Sequence, residues 1–453
     1  MSEIVTAPAS SRSEWKWVTL AEVGKVITGN TPPTSDTENY GDAIPFVKPT
    51  ELVDRGIRTA PNGLATQAIG KARVVPTGAV LVSCIGNLGK TGIAKVPVAF
   101  NQQINAVVFN DNVVPEFGFY YAQTLKLWLY GESSATTIPI VNKGKFQQAR
   151  FPLVPMEEQR EIVAEIEKQF SRLDEAVANL QRVKANLKRY KASVLKAAVE
   201  GRLVETEATQ ARREGRTYET GEQLLQRILG ERRAKWSEKG KYKEPVGLTA
   251  GDAVQLPDGW TTATVDQLGS VRLGKMLDKQ KHTAGVPYRY LRNINVRWGG
   301  FDLSDVFEMN FESDELERFS INAGDVLVCE GGEPARAAVW RSKQADMKYQ
   351  KALHRVRFDG AFLPDLLVIA LEHMAKSGAL DDLYGGSTIK HFTRETFVKL
   401  VLPVPPVAEQ IRIVAEVDRH LSIVREVEAE VDTNLKRAQA LRQSVLAKSF
   451  VKL

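Results

Sequence analysis

A few short stretches of this chain carry residue types that could do chemistry. Gly89-Lys90-Thr91 has the order found at the end of a phosphate-binding loop, where backbone N–H groups and a lysine hold phosphate oxygens. The glycine that such a loop needs five positions earlier is Cys84, so the loop cannot wrap a phosphate in the usual way. We therefore predict no nucleotide site here.

Two further stretches resemble catalytic motifs only in part. NTPPT at 30–34 is close to the Asn-Pro-Pro-aromatic loop with which amino-methyltransferases hold a flipped base, but a threonine intervenes and no aromatic follows. DEAV at 174–177 resembles a helicase box but lies within a helical hydrophobic period. No Ser-His-Asp order or pair of tuned acids is evident. The chain is predicted to catalyse nothing alone.

Metal binding is not indicated either. Cys84 and Cys329 each lie in an apolar, strand-like run, which favours core positions over ligands. The five histidines are scattered, without the spacing of a metal site. We predict no metal in this chain.

Composition limits the class of protein. With 453 residues, 43% hydrophobic and 26% charged, the chain is predicted to be globular with two or more domains. No apolar stretch is long enough for a membrane span, and the opening residues lack the apolar core of a secretion signal. A cytoplasmic location without membrane contact is the expectation.

The chain is an internal repeat. FPLVPMEEQREIVAEIEKQF at 151–170 recurs 251 residues later as LPVPPVAEQIRIVAEVDRHL at 402–421. Two earlier segments match as well, so the chain consists of two half-chains of one design. The further matched pairs are 15–29 with 260–274 and 78–94 with 324–340.

Each half-chain mixes short β-branched runs with Gly and Pro, and then becomes helical. The Pro-x-x-Pro passage ends the mixed region, because prolines so spaced continue neither a sheet nor a helix interior. The predicted fold class is α+β, with two mixed α/β domains in a pseudo-two-fold repeat, each followed by a long α-helix. The predicted segments are a first domain at 1–155, a first helix at 156–203, a charged linker with a short helix at 204–256, a second domain at 257–406 and a second helix at 407–453.

Both long helices carry a narrow apolar stripe. A helix from Met156 to Val199 would be about 65 Å long, too long for its stripe to be buried on one small domain. We predict that the two stripes pair as an antiparallel coiled coil, rather than packing on separate cores. The residues chosen for pairing and partner docking are Phe170, Leu173, Val177, Leu180, Leu187, Val194, Leu421, Val424, Val431, Leu435, Leu441 and Val445.

Basic charge concentrates toward the helix ends. The span Arg182 to Arg202 holds seven Lys or Arg against one acid, and Leu435 to Leu453 holds five against none. Two interpretations stay open: a solvated helix face that complements the helix dipole, or contact with a polyanion or an acidic partner.

Both mixed domains are rich in side chains that suit base edges and phosphates. Arg and Lys can read guanine, Asn and Gln can read adenine, and hydroxyls or lysines can position on phosphate. The alternative for each is a buried polar residue that satisfies a strand end. The DNA-binding candidates are Lys48, Thr50, Lys90, Asn101, Gln102, Gln103, Asn142, Lys143 and Lys145 in the first domain, and Arg289, Arg292, Asn293, Asn295, Arg297, Arg336, Gln350, Lys351, His354, Ser387, Thr388, Lys390 and His391 in the second.

Matched positions of the repeat differ in side chain: Lys90 corresponds to Arg336 and Ile140 to His391. A repeated scaffold with changed side chains is what two domains reading different sequences would need. Two variable domains, each closing with Pro-x-x-Pro-x-x-Glu-Gln and a long helix, resemble the specificity subunit of type I restriction-modification systems. GNLGKTGIA and FNQQINA also resemble that family, whereas GGEPARAAVW in the second half departs from it.

The resemblance implies a target-recognition role on double-stranded DNA. Each domain would bind one half of a split, asymmetric site, with half-sites about 34 Å apart, and the helices would fix the gap. Two methyltransferase subunits and a restriction-translocase subunit would be partners. S-adenosylmethionine, ATP and Mg would belong to them, and this subunit would hold no cofactor. The alternatives are the recognition subunit of a methyltransferase-nuclease that cuts both sides of its site, and a stand-alone bipartite DNA-binding protein.

Overall fold

The structure is a computed structural model that describes residues 15–134, 137–236, 241–249, 255–276, 285–343, 346–358, 360–386 and 390–450. The chain divides into two compact units, one of residues 1–182 with 431–453 and one of residues 183–430. Both divisions fall inside long helices. Within the described ranges, no helix is both long and apolar enough to cross a membrane.

The first mixed domain is built from short strands in three sheets. A five-stranded sheet has the order β2-β10-β7-β8-β4, a four-stranded sheet the order β5-β3-β9-β6, and β1 pairs with β11. The strands are β1 (Lys16–Thr19), β2 (Gly24–Thr28), β3 (Tyr40–Val47), β4 (Arg55–Ile57), β5 (Gly63–Leu64), β6 (Val74–Val75), β7 (Val80–Ser83), β8 (Thr91–Ala94), β9 (Val98–Phe100), β10 (Ile104–Phe109) and β11 (Arg150–Leu153). The helices are α1 (Leu20–Val23), α2 (Pro115–Thr124), α3 (Lys126–Glu132) and α4 (Lys143–Phe146), followed by the long α5 (Met156–Val199).

The second mixed domain repeats this plan. Its main sheet has the order β13-β21-β18-β19, β14 lies between β17 and β20, and β12 pairs with β22 as β15 does with β16. The strands are β12 (Thr261–Thr264), β13 (Gly269–Leu273), β14 (Val286–Leu291), β15 (Val296–Arg297), β16 (Gly300–Phe301), β17 (Phe307–Phe311), β18 (Val326–Cys329), β19 (Ala337–Val339), β20 (Met347–Tyr349), β21 (Leu353–Phe358) and β22 (Val401–Val404). The helices, after α6 (Glu207–Glu214) and α7 (Gly221–Ala234), are α8 (Val265–Leu268), α9 (Ser313–Arg318), α10 (Pro364–Ser377), α11 (Arg394–Phe397) and the long α12 (Val407–Phe450).

The two domains therefore have the predicted fold class, and both cysteines are buried as predicted. A glycine recurs directly after β2 and directly after β13, which shows that the repeat extends to single positions. A Cβ on Gly29 would lie 2.2 Å from the carbonyl oxygen of Asn101, and one on Gly274 would lie 2.3 Å from that of Gln350. Only glycine lets the backbone after these strands approach the adjacent backbone segment so closely.

A buried glutamine fixes the start of each long helix. The side-chain oxygen of Gln159 accepts from the backbone N–H of Val114 at 2.8 Å, and its amide nitrogen donates to the carbonyl oxygens of Asn112 and Val154. Gln410 repeats this with Leu363 and Pro405. The glutamine of the repeated passage thus ties the start of each long helix to the start of α2 or α10, and both long helices begin at the predicted residues, Met156 and Val407.

In the first unit, the two long helices run antiparallel. The guanidinium of Arg442 lies 3.9 Å from the ring centroid of Phe170 and bonds Asp174 at 2.7 Å. Further along α12, Phe450 shares a core with Val163, which lies earlier on α5.

In the second unit the two long helices also run antiparallel. Tyr190 bonds His420 at 2.6 Å, and Ile413, earlier on α12, shares a core with Val194, later on α5. These contacts support the predicted pairing within each unit, whereas a continuous coiled coil along both helices stays a prediction.

Burial along the two long helices differs from one residue of the predicted stripe to the next, and the pairing role of these residues stays a prediction. Phe170, Val194, Val424 and Val431 are buried, whereas Leu441 is 49% exposed. The neighbouring Arg442 lies beside Phe170, and Leu446 and Phe450 are buried. The remaining stripe residues are half-buried: Leu173, Val177, Leu180, Leu187, Leu421, Leu435 and Val445.

The segment predicted as a linker also needs correction. It contains two helices, α6 and α7, rather than one short helix. Leu224, Leu225 and Ile228 of α7 are buried in the core of the second unit with Trp260 and Ala263. The amphipathic stretch was recognised, but the sequence did not show what its apolar face would pack against. The predicted domain boundaries stay predictions.

Candidate nucleic-acid interface

Loops of the first domain gather at one edge of its sheets. Strands β3 and β9 run parallel, so their carboxyl ends meet. The backbone N–H of Asn101 donates to the carbonyl of Val47 at 3.1 Å, and that of Cys84 donates to the carbonyl of Gln103 at 2.8 Å. These bonds join the segments that follow β3, β7 and β9.

A fourth segment closes the same edge. The backbone N–H of Val141 donates to Cys84 at 2.9 Å, and that of Gly86 donates to Pro139 at 2.9 Å. We call residues 48–51, 84–90, 101–103 and 139–145 the first loop edge.

The second domain makes the corresponding bonds. The backbone N–H of Gln350 donates to Leu291 at 3.0 Å, that of Glu330 to Ala352 at 2.9 Å and that of Phe392 to Glu330 at 2.7 Å. We call residues 292–295, 330–336, 350–352 and 390–393 the second loop edge. These three bonds correspond to three of the four given for the first loop edge.

Backbone angles match as closely as the bonds do. Positive φ occurs at Gly86 and Gly332, 77° and 81°, and at Gly89 and Ala335, 78° and 69°. Ala335 keeps the left-handed conformation although it carries a Cβ, which shows how strongly the surrounding bonds determine this loop. GGEPARAAVW departs from the family's sequence pattern, but the backbone of this loop has the same left-handed positions as its counterpart in the first domain.

Side chains, in contrast, differ between the two edges. On the first, the ammonium groups of Lys48, Lys90 and Lys143 have no hydrogen-bond or ion-pair partner among the described residues. On the second, Lys351 is likewise unpartnered among them and exposed. Unpaired cations on a loop edge suit phosphate contacts.

Several candidates of the first domain are engaged locally. Gln102 accepts from the hydroxyl of Thr31 at 2.7 Å, and Asn142 caps α4 by accepting from the backbone N–H of Lys145 at 2.9 Å. The ammonium of Lys145 donates to the carbonyl of Glu132. All nine first-domain candidates lie on the first loop edge, so the structure brings them together.

The second-domain candidates are more divided. Arg292 pairs with Asp305 at 2.7 Å and its guanidinium lies 3.7 Å from the ring centroid of Phe307. Arg336 pairs with Glu333 at 2.7 Å. These two cations are held by the protein itself.

Others lie at or near the second edge. Asn293 donates to Gly331, Lys390 pairs with Asp381 at 3.1 Å, and His391 lies against Gly331. Arg289, exposed on β14, has no partner among the described residues, whereas Arg297 pairs with Asp302. Ser387 and Thr388 fall outside the described residues.

Three candidates prove to be buried structural groups. Asn101 bonds Gln103, and Asn295 donates to the carbonyls of Asp302 and Asp305. His354, fully buried, bonds the carbonyl of Phe392, and burial lowers its pKa to about 4. Since water and DNA do not reach buried side chains, the proposed reading role of these three is withdrawn.

Sequence reasoning passed over one exposed residue of the second edge, Ile294. Aligning Lys48–Glu51 with 292–295 would have drawn attention to it, because Ile294 then corresponds to the candidate Thr50. No group of three or more His, Cys, Asp or Glu residues placed to hold a metal ion occurs in the described parts of the chain.

Sequence comparisons find this chain similar to specificity subunits of type I restriction enzymes. Residues 12–189 match the family model described as the type I restriction modification DNA specificity domain. The EcoKI specificity subunit of Escherichia coli strain K12 is 22% identical, over 96% of this chain and 88% of its own length. The EcoBI specificity subunit of Escherichia coli is 21% identical over 97% and 86%. A match to the MjaIX specificity subunit of Methanocaldococcus jannaschii, 27% identical, spans 36% of that protein.

Solved structures show the same fold. A chain from work on complex assembly and conformational transition of the type I R-M system aligns with a TM-score of 0.66 and 18% identity, covering 98% of this chain and all of that one. The HsdS subunit of Thermoanaerobacter tengcongensis aligns with a TM-score of 0.52 and 18% identity, covering 98% and 99%.

Proposed function

Because this chain belongs to the family of type I restriction-modification specificity subunits, we propose that it is the DNA-recognition subunit of such a complex. Each loop edge reads one half of a split, asymmetric site. The observation that carries this proposal is the pair of loop edges, which share their backbone bonds and left-handed positions but differ in exposed side chains.

The unpaired cations supply affinity. Lys48, Lys90 and Lys143 on one edge and Lys351 on the other contact phosphates, which positions each domain without reading sequence. Base edges are then read by the side chains that differ between the two edges. A change at one edge alters one half-site alone.

The long helices set the gap between the half-sites and carry the partners. Two methyltransferase subunits bind there and supply S-adenosylmethionine, and a restriction-translocase subunit supplies ATP hydrolysis with Mg. This chain itself is non-catalytic and works in the cytoplasm. The repeat supports this arrangement, because two copies of one partner need two similar docking surfaces.

Methylation sequencing tests the proposal. The chain is expressed with the methyltransferase encoded beside it in a host without such a system, and modified adenines are mapped. A second strain carries residues 204–400 exchanged for those of another such protein. The exchange begins at 204 because α7 belongs to the core of the second unit.

We expect a split, asymmetric motif of which the exchange rewrites one half. A motif rewritten in both halves would contradict independent reading by two domains. If the two proteins do not associate at all, recruitment fails and the stand-alone DNA-binding protein becomes the better explanation.

A further inference from the structure

The turn after β14 is held rigidly by a buried side chain. Asn295 is 2% exposed and donates to the carbonyls of Asp302 and Asp305 at 3.0 and 2.8 Å. Its side-chain oxygen accepts from the backbone N–H of Arg292 at 2.9 Å. A turn fixed from inside in this way presents its outer residue in one position.

The same turn is tied to the neighbouring loop of the second loop edge. The side-chain amide of Asn293 donates to the backbone carbonyl of Gly331 at 3.2 Å. The backbone carbonyl of Asn293 accepts from the guanidinium of Arg336 at 2.8 Å. The position of the turn is therefore fixed relative to the rest of the edge.

Ile294 forms the tip of this turn. Its backbone N–H donates to the side-chain oxygen of Asn293 at 2.9 Å, and its side chain is 49% exposed. The polar neighbours Arg292, Asn293 and Asn295 are all engaged with the protein. On this turn the apolar side chain of Ile294 is thus the group free to meet a ligand.

The first domain has the equivalent turn with a different tip. Glu51 accepts from the backbone N–H of Lys48 at 2.6 Å, as Asn295 does from that of Arg292. The exposed tip is Thr50, whose hydroxyl donates to Glu51 at 2.8 Å. The tip is therefore a position where the side chain changes between two edges of similar backbone.

We propose that Ile294 is a specificity-determining residue that contacts the C5-methyl group of a thymine in the half-site read by the second domain. The proposal rests on the proposed recognition function. The thymine methyl is the one apolar group on the major-groove edges of the bases, so a rigid apolar tip among polar and cationic groups fits it. The contact selects thymine at one position.

Deoxyuridine substitution provides the test, because deoxyuridine is thymine without that methyl group. After the motif is known, each thymine of the second half-site is replaced in synthetic duplexes, and binding of the complex of the chain with its methyltransferase is measured. Wild type is expected to lose about fourfold in affinity at one position, the value of one buried methyl group. Ile294→Ala is expected to bind more weakly and to lose this sensitivity.

Val286→Ala is the matched control. Val286 is β-branched, 56% exposed and lies at the opposite end of β14 from the turn. This variant should bind like wild type and keep the deoxyuridine sensitivity. The thermal midpoint of each variant confirms that the fold is intact.

The outcomes separate the two proposals. If a split motif forms but no thymine methyl matters, or if Ile294→Ala keeps the sensitivity, the contact is refuted and recognition stands. A second half-site without thymine on either strand also refutes the contact. If no methylated motif forms, recognition itself fails and the contact fails with it.

Discussion

Gly89 and Ala335 occupy the same left-handed backbone position in the two domains, but their surroundings differ. A Cβ on Gly89 would lie 3.0 Å from Lys126, closer than most real Cβ contacts. Gly89→Ala should therefore lower the free energy of unfolding by about 1–2 kcal/mol, from the left-handed φ and this contact.

Urea denaturation checks this expectation. The control is Gly70→Ala, since a Cβ on Gly70 would have no neighbour within 4 Å and its φ is not left-handed. This control should change stability by no more than about 0.5 kcal/mol. Equal stabilities of the two variants would show that a left-handed glycine at position 89 is not required for the stability of this loop.

His354 gives a pH dependence with a definite sign. Burial lowers its pKa from 6.5 to about 4, so the unfolded chain takes up the proton at a higher pH than the folded chain does. The neutral histidine contributes stability that is fully present above pH 6.5 and is lost as the pH falls toward 4. The contribution is about 3 kcal/mol.

The matching residue of the first domain is Asn105, which suggests His354→Asn as the variant. Its stability should fall less between pH 7 and pH 5 than that of wild type, measured by urea denaturation at each pH. His391→Asn, at an exposed histidine, serves as control and should follow wild type. An unchanged pH dependence in His354→Asn would assign the effect to other groups.

Residue types alone predicted part of the candidate site. Lys48, Lys143 and Lys351 are exposed on the loop edges, as their chemistry required, and Lys90 is half-buried there. Asn295 and His354 have the same kinds of polar groups but bond Asp302 and Phe392 in the core. Such partners are set by the fold and not by local spacing, so the sequence could not separate readers from buried polar groups.

Among the secondary-structure elements, the joint between mixed domain and long helix depends on a single amide. Gln159→Leu would leave the backbone N–H of Val114 and two carbonyls without partners in a buried place. We expect a loss of about 3 kcal/mol in the free energy of unfolding. Faster amide hydrogen exchange at the start of α2 should accompany it.

Mass-spectrometric hydrogen exchange and urea denaturation measure both effects. Gln181→Leu, at an exposed position of the same helix, should change neither. Unaltered exchange at the start of α2 in Gln159→Leu would mean that proline and helix packing alone hold the joint.

Some elements were predictable because local physics decides them. Prolines and the apolar period placed the start of both long helices, and α5 ends at Val199, inside the predicted segment 156–203. The role of α7 was missed, since its apolar face needed the core around Trp260 to explain it. The predicted linker contains α6 and α7 rather than one short helix, and Leu441 is exposed rather than buried. Both differences arise because burial depends on what packs opposite a residue, which the sequence does not show.

For the whole molecule, the proposed role of the long helices predicts how the target site responds to their length. One heptad inserted after Arg182 and another after Glu430 would lengthen both helices at the boundary of the two units. Seven residues add about 10 Å, so the gap between half-sites should grow by about 3 base pairs.

Methylation sequencing of this variant should show unchanged half-site sequences. Inserting the heptad in one helix only is the control, which should disturb helix pairing and abolish methylation. A double insertion that alters the half-sites themselves would rule out helices that act on spacing alone.

The repeat also showed from sequence that the molecule has two similar domains, and the matched bonds of the loop edges extend this to individual atoms. What the sequence lacked was the location of those edges. They are formed by segments tens of residues apart, which meet only because β3 and β9, like β14 and β20, lie parallel.

The bonds that join the loop edges run from main chain to main chain, and this has a consequence for how the protein can change. Substituting an exposed edge residue removes none of these main-chain bonds. Libraries randomised at the exposed edge positions should therefore keep a high fraction of folded members. New target preferences can arise by single substitutions without a compensating change elsewhere, so the scaffold is suited to diversification under selection.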